Sequence, residues 1–182
     1  MEANQSNSNS ASNSTLTNQL NPYYFDILDL WKQLCLEHTN LFDITCEEYS
    51  LMLSSDVDAL ETLIIKKENI IKSIQDLDNL RKHIINKINE VLASSSTGTG
   101  TREIQSVTDL INIFHQYEKN RGENFLSRYN QLLKSIIEKI QAQNKKNQIF
   151  LNKAIISIKE MRAGLLGKKS YNTYNSMGVT NS

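Results

Sequence analysis

The sequence predicts an all-α fold: an elongated antiparallel helical bundle or coiled coil of three long helices, plus one short helical segment. Three observations carry this. The 182 residues include one proline and six glycines, too little punctuation to cut the chain into strands. Leu, Ile, Lys, Glu, Asn and Gln dominate, a mixture that favours helix. Apolar residues also recur at alternating steps of three and four over long stretches. A hydrophobic content of 39% is enough to bury one core, so a single domain is expected.

Residues 1–21, rich in Asn, Ser, Gln and Thr, have little to bury and read as a disordered leader. Asn21 and Pro22 then form a helix start, with Asn as the cap and Pro where its missing N–H is harmless. Helix one is expected from Pro22 to about Leu53. Its broad apolar face, including Ile27, Trp31, Leu34 and Cys35, is wide enough to meet two neighbours. A tight hairpin follows, with Ser55 and Asp58 spaced as a capping box.

Helix two, roughly Asp56 to Ala93, carries the cleanest heptad, through Leu60, Leu63, Lys67, Ile70, Ile74, Leu77, Arg81, Ile84, Ile88 and Val91. Lys67 and Arg81 are basic residues in an apolar seam. Each must snorkel or find a carboxylate, or else bind a ligand. Residues 94–102 form a polar loop whose glycines lack the phosphate-loop pattern. Ser106 and Asp109 mark the start of a short helix bearing Val107, Leu110, Ile111 and Phe114, and Gly122 either kinks or breaks it.

The last helix, about Glu123 to Leu166, is expected to be the longest, at roughly 66 Å against roughly 48 and 57 Å for helices one and two. Its stripe runs through Leu126, Leu133, Ile136 and Ile140, is interrupted by Gln143, Asn144 and Asn147, and starts afresh. The renewed face, Phe150, Leu151, Ala154, Ile155, Ile158, Met161 and Leu165, should outrun its neighbours, and an uncovered apolar face marks an interaction site. The bundle domain is thus 22–167. Residues 168–182 form a flexible tail with Tyr171 and Tyr174, which either act as a short linear motif or pack back on the bundle.

Charge sums to zero but is unevenly spread. Residues 1–100 hold 14 acidic and 7 basic side chains, net −7, while residues 144–182 hold 7 basic and 1 acidic, net +6. The basic helix therefore lies on the acidic ones or meets an acidic partner. Nucleic acid is disfavoured, because no binding motif or aromatic platform accompanies the basic residues. Cys35 and Cys46, eleven apart on one helix, are too distant to pair, in keeping with a reducing cytosol. No secretory signal or apolar run of spanning length is present, so a cytoplasmic protein without membrane insertion is expected.

No catalytic or cofactor chemistry emerges. His38, His83 and His115 fall on different helices without a metal-type companion, no G-x-S-x-G occurs, and carboxylates are expected on exposed faces rather than in seams. Lys67, Arg81 and His38 are the only polar seam groups a ligand-binding bundle could use.

Three segments, in order, resemble the FlgN family of flagellar export chaperones. Lys67 and Arg81, fourteen apart in ALETLIIKKENIIKSIQDLDNLR, are similar to its xLxxLxxxKxxLLxxLxxLxxxR segment. Asn144 and Asn147 resemble its N-x-x-N, which precedes an apolar helix, and TYNSMG resembles its tail motif. The resemblance spans about residues 23–178. It implies a chaperone, neither enzyme nor cofactor protein, that binds the C-terminal helical regions of hook-associated proteins and hands them to the cytoplasmic domain of the export gate protein. It further implies that Tyr174, with Tyr171, carries the gate contact. Monomer and homodimer both remain open, and the alternative is a helical-bundle adaptor for an unrelated assembly.

Overall fold

The computed structural model describes residues 5–95 and 103–166, all in helices or short connections. Four helices follow one another: α1 (Gln5–Ser54), α2 (Val57–Ser95), α3 (Val107–Asn120) and α4 (Phe125–Leu166). The chain divides into two compact units, residues 1–141 and 142–182.

In the first unit, α1 and α2 form a hairpin. Its turn is tight because Ser55 takes a left-handed φ of 58°, while the Ser55 and Asp56 N–H groups donate to the carbonyls of Met52 and Leu51. The Asp56 carboxylate accepts from the Ala59 N–H at 3.0 Å, so Asp56, not Ser55, caps α2. Where the described chain resumes, the Ile104 N–H donates to Asn89 Oδ1 at 2.9 Å and ties this segment to α2. Ser106 and Asp109 then form the expected capping box, each side chain accepting from the other's backbone N–H.

The core is one cluster contributed by all four helices: Tyr24, Ile27, Trp31 and Leu34 from α1, Ile84 and Ile88 from α2, Leu110 and Phe114 from α3, and Leu126, Leu133, Ile136 and Ile140 from α4. The first half of the α4 stripe is therefore core.

α1 does not begin at Pro22. It runs back to Gln5 with Pro22 inside it, so the 1–21 stretch expected to lack order is helical from Gln5 onward. Pro22 removes one helical N–H. Yet Leu20, Tyr24, Ile27 and Trp31 form a buried stripe that crosses the proline, and its burial outweighs the lost bond. Asn21, expected as a cap, instead accepts a hydrogen bond from the Tyr117 hydroxyl. α1 is consequently the longest helix, at 50 residues against 42 for α4 and 39 for α2, which reverses the expected order of lengths.

The second unit consists, among the described residues, of the continuation of α4 from Ala142 to Leu166.

Candidate functional site

On the second unit, α4 carries the renewed apolar face. Leu151, Ile155, Ile158, Met161 and Leu165 are all exposed, from 43% at Leu151 to 78% at Leu165. Phe150 and Ala154 are half-buried. Helical spacing puts Leu151, Ile155, Ile158 and Leu165 on one side, so α4 presents an exposed, largely apolar stripe here. Ahead of it, Asn147 is buried and its Oδ1 accepts from Gln143 Nε2 at 3.1 Å. A buried amide needs such a partner. Asn144 is exposed. The polar interruption is thus a hydrogen-bonded step in the helix face immediately before the exposed stripe.

The two basic seam residues of α2 meet carboxylates separately, although the buried Arg81 Nε has no hydrogen-bond partner. Lys67 Nζ lies 2.7 Å from Glu48 Oε2 of α1, with both side chains 19% exposed. Arg81 pairs with Asp78 at 2.5 Å on its own helix, and Lys82 reaches the other oxygen of Asp78 at 3.0 Å. Lys67 and Arg81 are roughly 21 Å apart along α2 and share no site.

A groove of about 540 Å³ between α1, α2 and α4 brings His38 and Arg81 to a common wall with Leu34, Leu133 and Ile137. His38 Nδ1, as an N–H, donates to the Leu34 carbonyl at 2.7 Å, and Arg81 is engaged by Asp78. Lys67 does not line this groove, so the three seam groups that could have made a ligand site do not converge. Among the described residues no His, Cys, Asp and Glu cluster could hold a metal ion, and no helix is long and apolar enough to cross a membrane. Cys35 and Cys46 are both free thiols. Burial pushes the Cys35 thiol up, and its Sγ lies 3.5 Å from the Tyr129 carbonyl, a packing role rather than a nucleophilic one.

One carboxylate departs from the expectation that acidic groups stay on exposed faces. Glu118 is 1% exposed. Its Oε1 accepts from the Tyr24 hydroxyl at 3.1 Å and from the Leu126 N–H at 2.8 Å, so it joins α1, α3 and the first turn of α4. Burial and the neighbouring Glu118 charge raise the Tyr24 phenol above its ordinary value, and the phenol stays neutral. The signal was in the sequence: Leu110, Phe114 and Glu118 are four apart on one face of α3. Arg121 covers this junction, its guanidinium 4.8 Å from the Tyr117 ring centroid and 5.7 Å from that of Phe25.

Tyr171 and Tyr174 lie outside the described residues. A family model described as FlgN protein matches residues 24–182, which includes both tyrosines. No curated protein and no solved structure matches the chain.

Proposed function

The chain belongs to the FlgN family, and from that premise we propose that it is a cytoplasmic flagellar export chaperone. On this reading it holds the C-terminal helical regions of hook-associated proteins, keeps them from assembling early, and delivers them to the cytoplasmic domain of the export gate protein. The observation that carries the reading is the exposed apolar face of α4, Leu151, Ile155, Ile158, Met161 and Leu165, within the span matched by the family model. A client helix laid against this face would bury it by the helix-in-groove mode. Ordering of a client segment on binding would moderate affinity, which suits a partner that must be released. The Tyr171 and Tyr174 tail would then be left to contact the gate.

The test is co-purification of the full chain with the C-terminal segments of the hook-associated proteins of the same genome, followed by sizing. We expect a complex of defined stoichiometry that is lost when the chain is truncated at Asn147. A truncated chain that still binds would place the site on the first unit. In the same assay Tyr174→Ala should leave the client complex intact and weaken docking to the gate domain. Unaltered docking would remove the tail from the delivery step.

A further inference from the structure

The exposed face of α4 is not uniformly apolar. Leu151, Ile155, Ile158, Arg162 and Leu165 follow one another at steps of four, three, four and three, the spacing of a coiled-coil seam. Arg162 therefore occupies a seam position between Ile158 and Leu165. It is exposed, and among the described residues it makes no ion pair.

The same molecule shows how a basic seam residue is accommodated once a helix covers it. Lys67 sits in the α2 seam, and α1 brings Glu48 to 2.7 Å from its ammonium. Covering Arg162 with an apolar side chain would instead desolvate a guanidinium without compensation.

We propose that the occupant of this face is an amphipathic partner helix whose apolar seam carries an Asp or Glu placed to meet Arg162. This rests on the client-binding reading of the same face and adds the chemistry that selects the client.

Charge separates this occupant from a second copy of the chain. Residues 142–166 contain five basic side chains, Lys145, Lys146, Lys153, Lys159 and Arg162, and one acidic side chain, Glu160, net +4. Glu160 is two residues before Arg162, roughly 200° around the helix, and so lies on the opposite side. Two such segments face to face would oppose like charges and offer Arg162 no carboxylate, whereas a helix with acidic seam and flank positions complements both features.

The experiment uses the full chain and synthetic amphipathic peptides of three heptads, identical except for Glu, Gln or Lys at one central seam position. The expected result is that the Glu peptide binds about tenfold more tightly than the Lys peptide, with Gln between them. The order should invert for Arg162→Glu and collapse for Arg162→Gln, with helicity by circular dichroism unchanged. An order unaffected by either substitution, or equal binding of all three peptides, overturns the proposal. So does absence of binding to any peptide, or a dimer in sedimentation that Ile158→Ser dissociates, since the occupant would then be a second copy. The two readings fail separately. Hook-associated segments that bind Arg162→Glu as tightly as the natural chain sink the seam carboxylate alone. A Glu-peptide preference without binding of any hook-associated segment sinks only the client assignment.

Discussion

At the scale of single residues, the junction of Tyr24, Glu118 and Leu126 makes the sharpest claim about stability. The Tyr24 phenol donates to a buried carboxylate, and burial first, then the charge of Glu118, hold its pKa above the usual value near 10. A raised pKa means that the folded state binds this proton more tightly than the unfolded state. The resulting stabilisation is complete below about pH 10 and is lost as pH rises through the higher folded value. Tyr24→Phe should therefore destabilise the chain by about 1–2 kcal/mol at neutral pH, through loss of a hydrogen bond to a carboxylate. The gap between the two proteins should narrow above pH 10, where only the natural chain has this phenol to ionise. Denaturant titrations at pH 8, 10 and 11 read this directly, and a gap that stays constant across the three would refute the assignment.

At the scale of elements, what could be read in advance depended on whether a local signal had a competitor. The Ser106 and Asp109 capping box and the Gly122 break appear as expected, because both are satisfied by backbone geometry within a few residues. Gly122 follows α3 with φ +70°, and its N–H and those of Arg121 and Glu123 donate back to the last carbonyls of α3. A Cβ there would meet nothing within 4 Å, so the requirement is conformational rather than steric. Gly122→Ala should cost about 1 kcal/mol and Gly122→Asn less, since Asn tolerates the left-handed region better. Equal stability of all three by chemical denaturation would show that the turn relaxes to another conformation. The Asn21 and Pro22 helix start was a valid local signal that lost. Leu20 and Tyr24 sit on either side of the proline in the same buried stripe, and tertiary burial overrode a cap worth about 1 kcal/mol.

At the scale of the whole molecule, periodicity revealed which face of α4 is apolar, and the polar break at Gln143, Asn144 and Asn147 marked where its exposed half begins. The same three-four spacing places Leu126, Leu133, Ile136 and Ile140 in the core and leaves Leu151, Ile155, Ile158 and Leu165 exposed. The exposure did not follow from the expected order of helix lengths, since α1 rather than α4 is the longest helix; covering depends on what lies opposite, which length alone does not give. Glu118 was not legible for a related reason: a carboxylate in an apolar stripe is accepted because the Tyr24 hydroxyl, 94 residues away in sequence, and the Leu126 N–H both donate to it. The distinction between the two halves of α4 can be tested on the full chain. Leu151→Ser, Ile155→Ser and Ile158→Ser combined should leave unfolding within about 1 kcal/mol of the natural chain, the usual range for exposed positions. Client binding should fall by about 100-fold or more, because three apolar contacts are removed from the centre of the interface. Phe150 is left out of this set because it is half-buried. Leu126→Ala, by contrast, should cost about 2–5 kcal/mol, since its side chain is 1% exposed in the core. If the triple variant unfolds as easily as the Leu126 variant, the second half of α4 is core and the binding surface lies elsewhere. If it keeps its stability and still binds its client, the face is apolar for some other purpose.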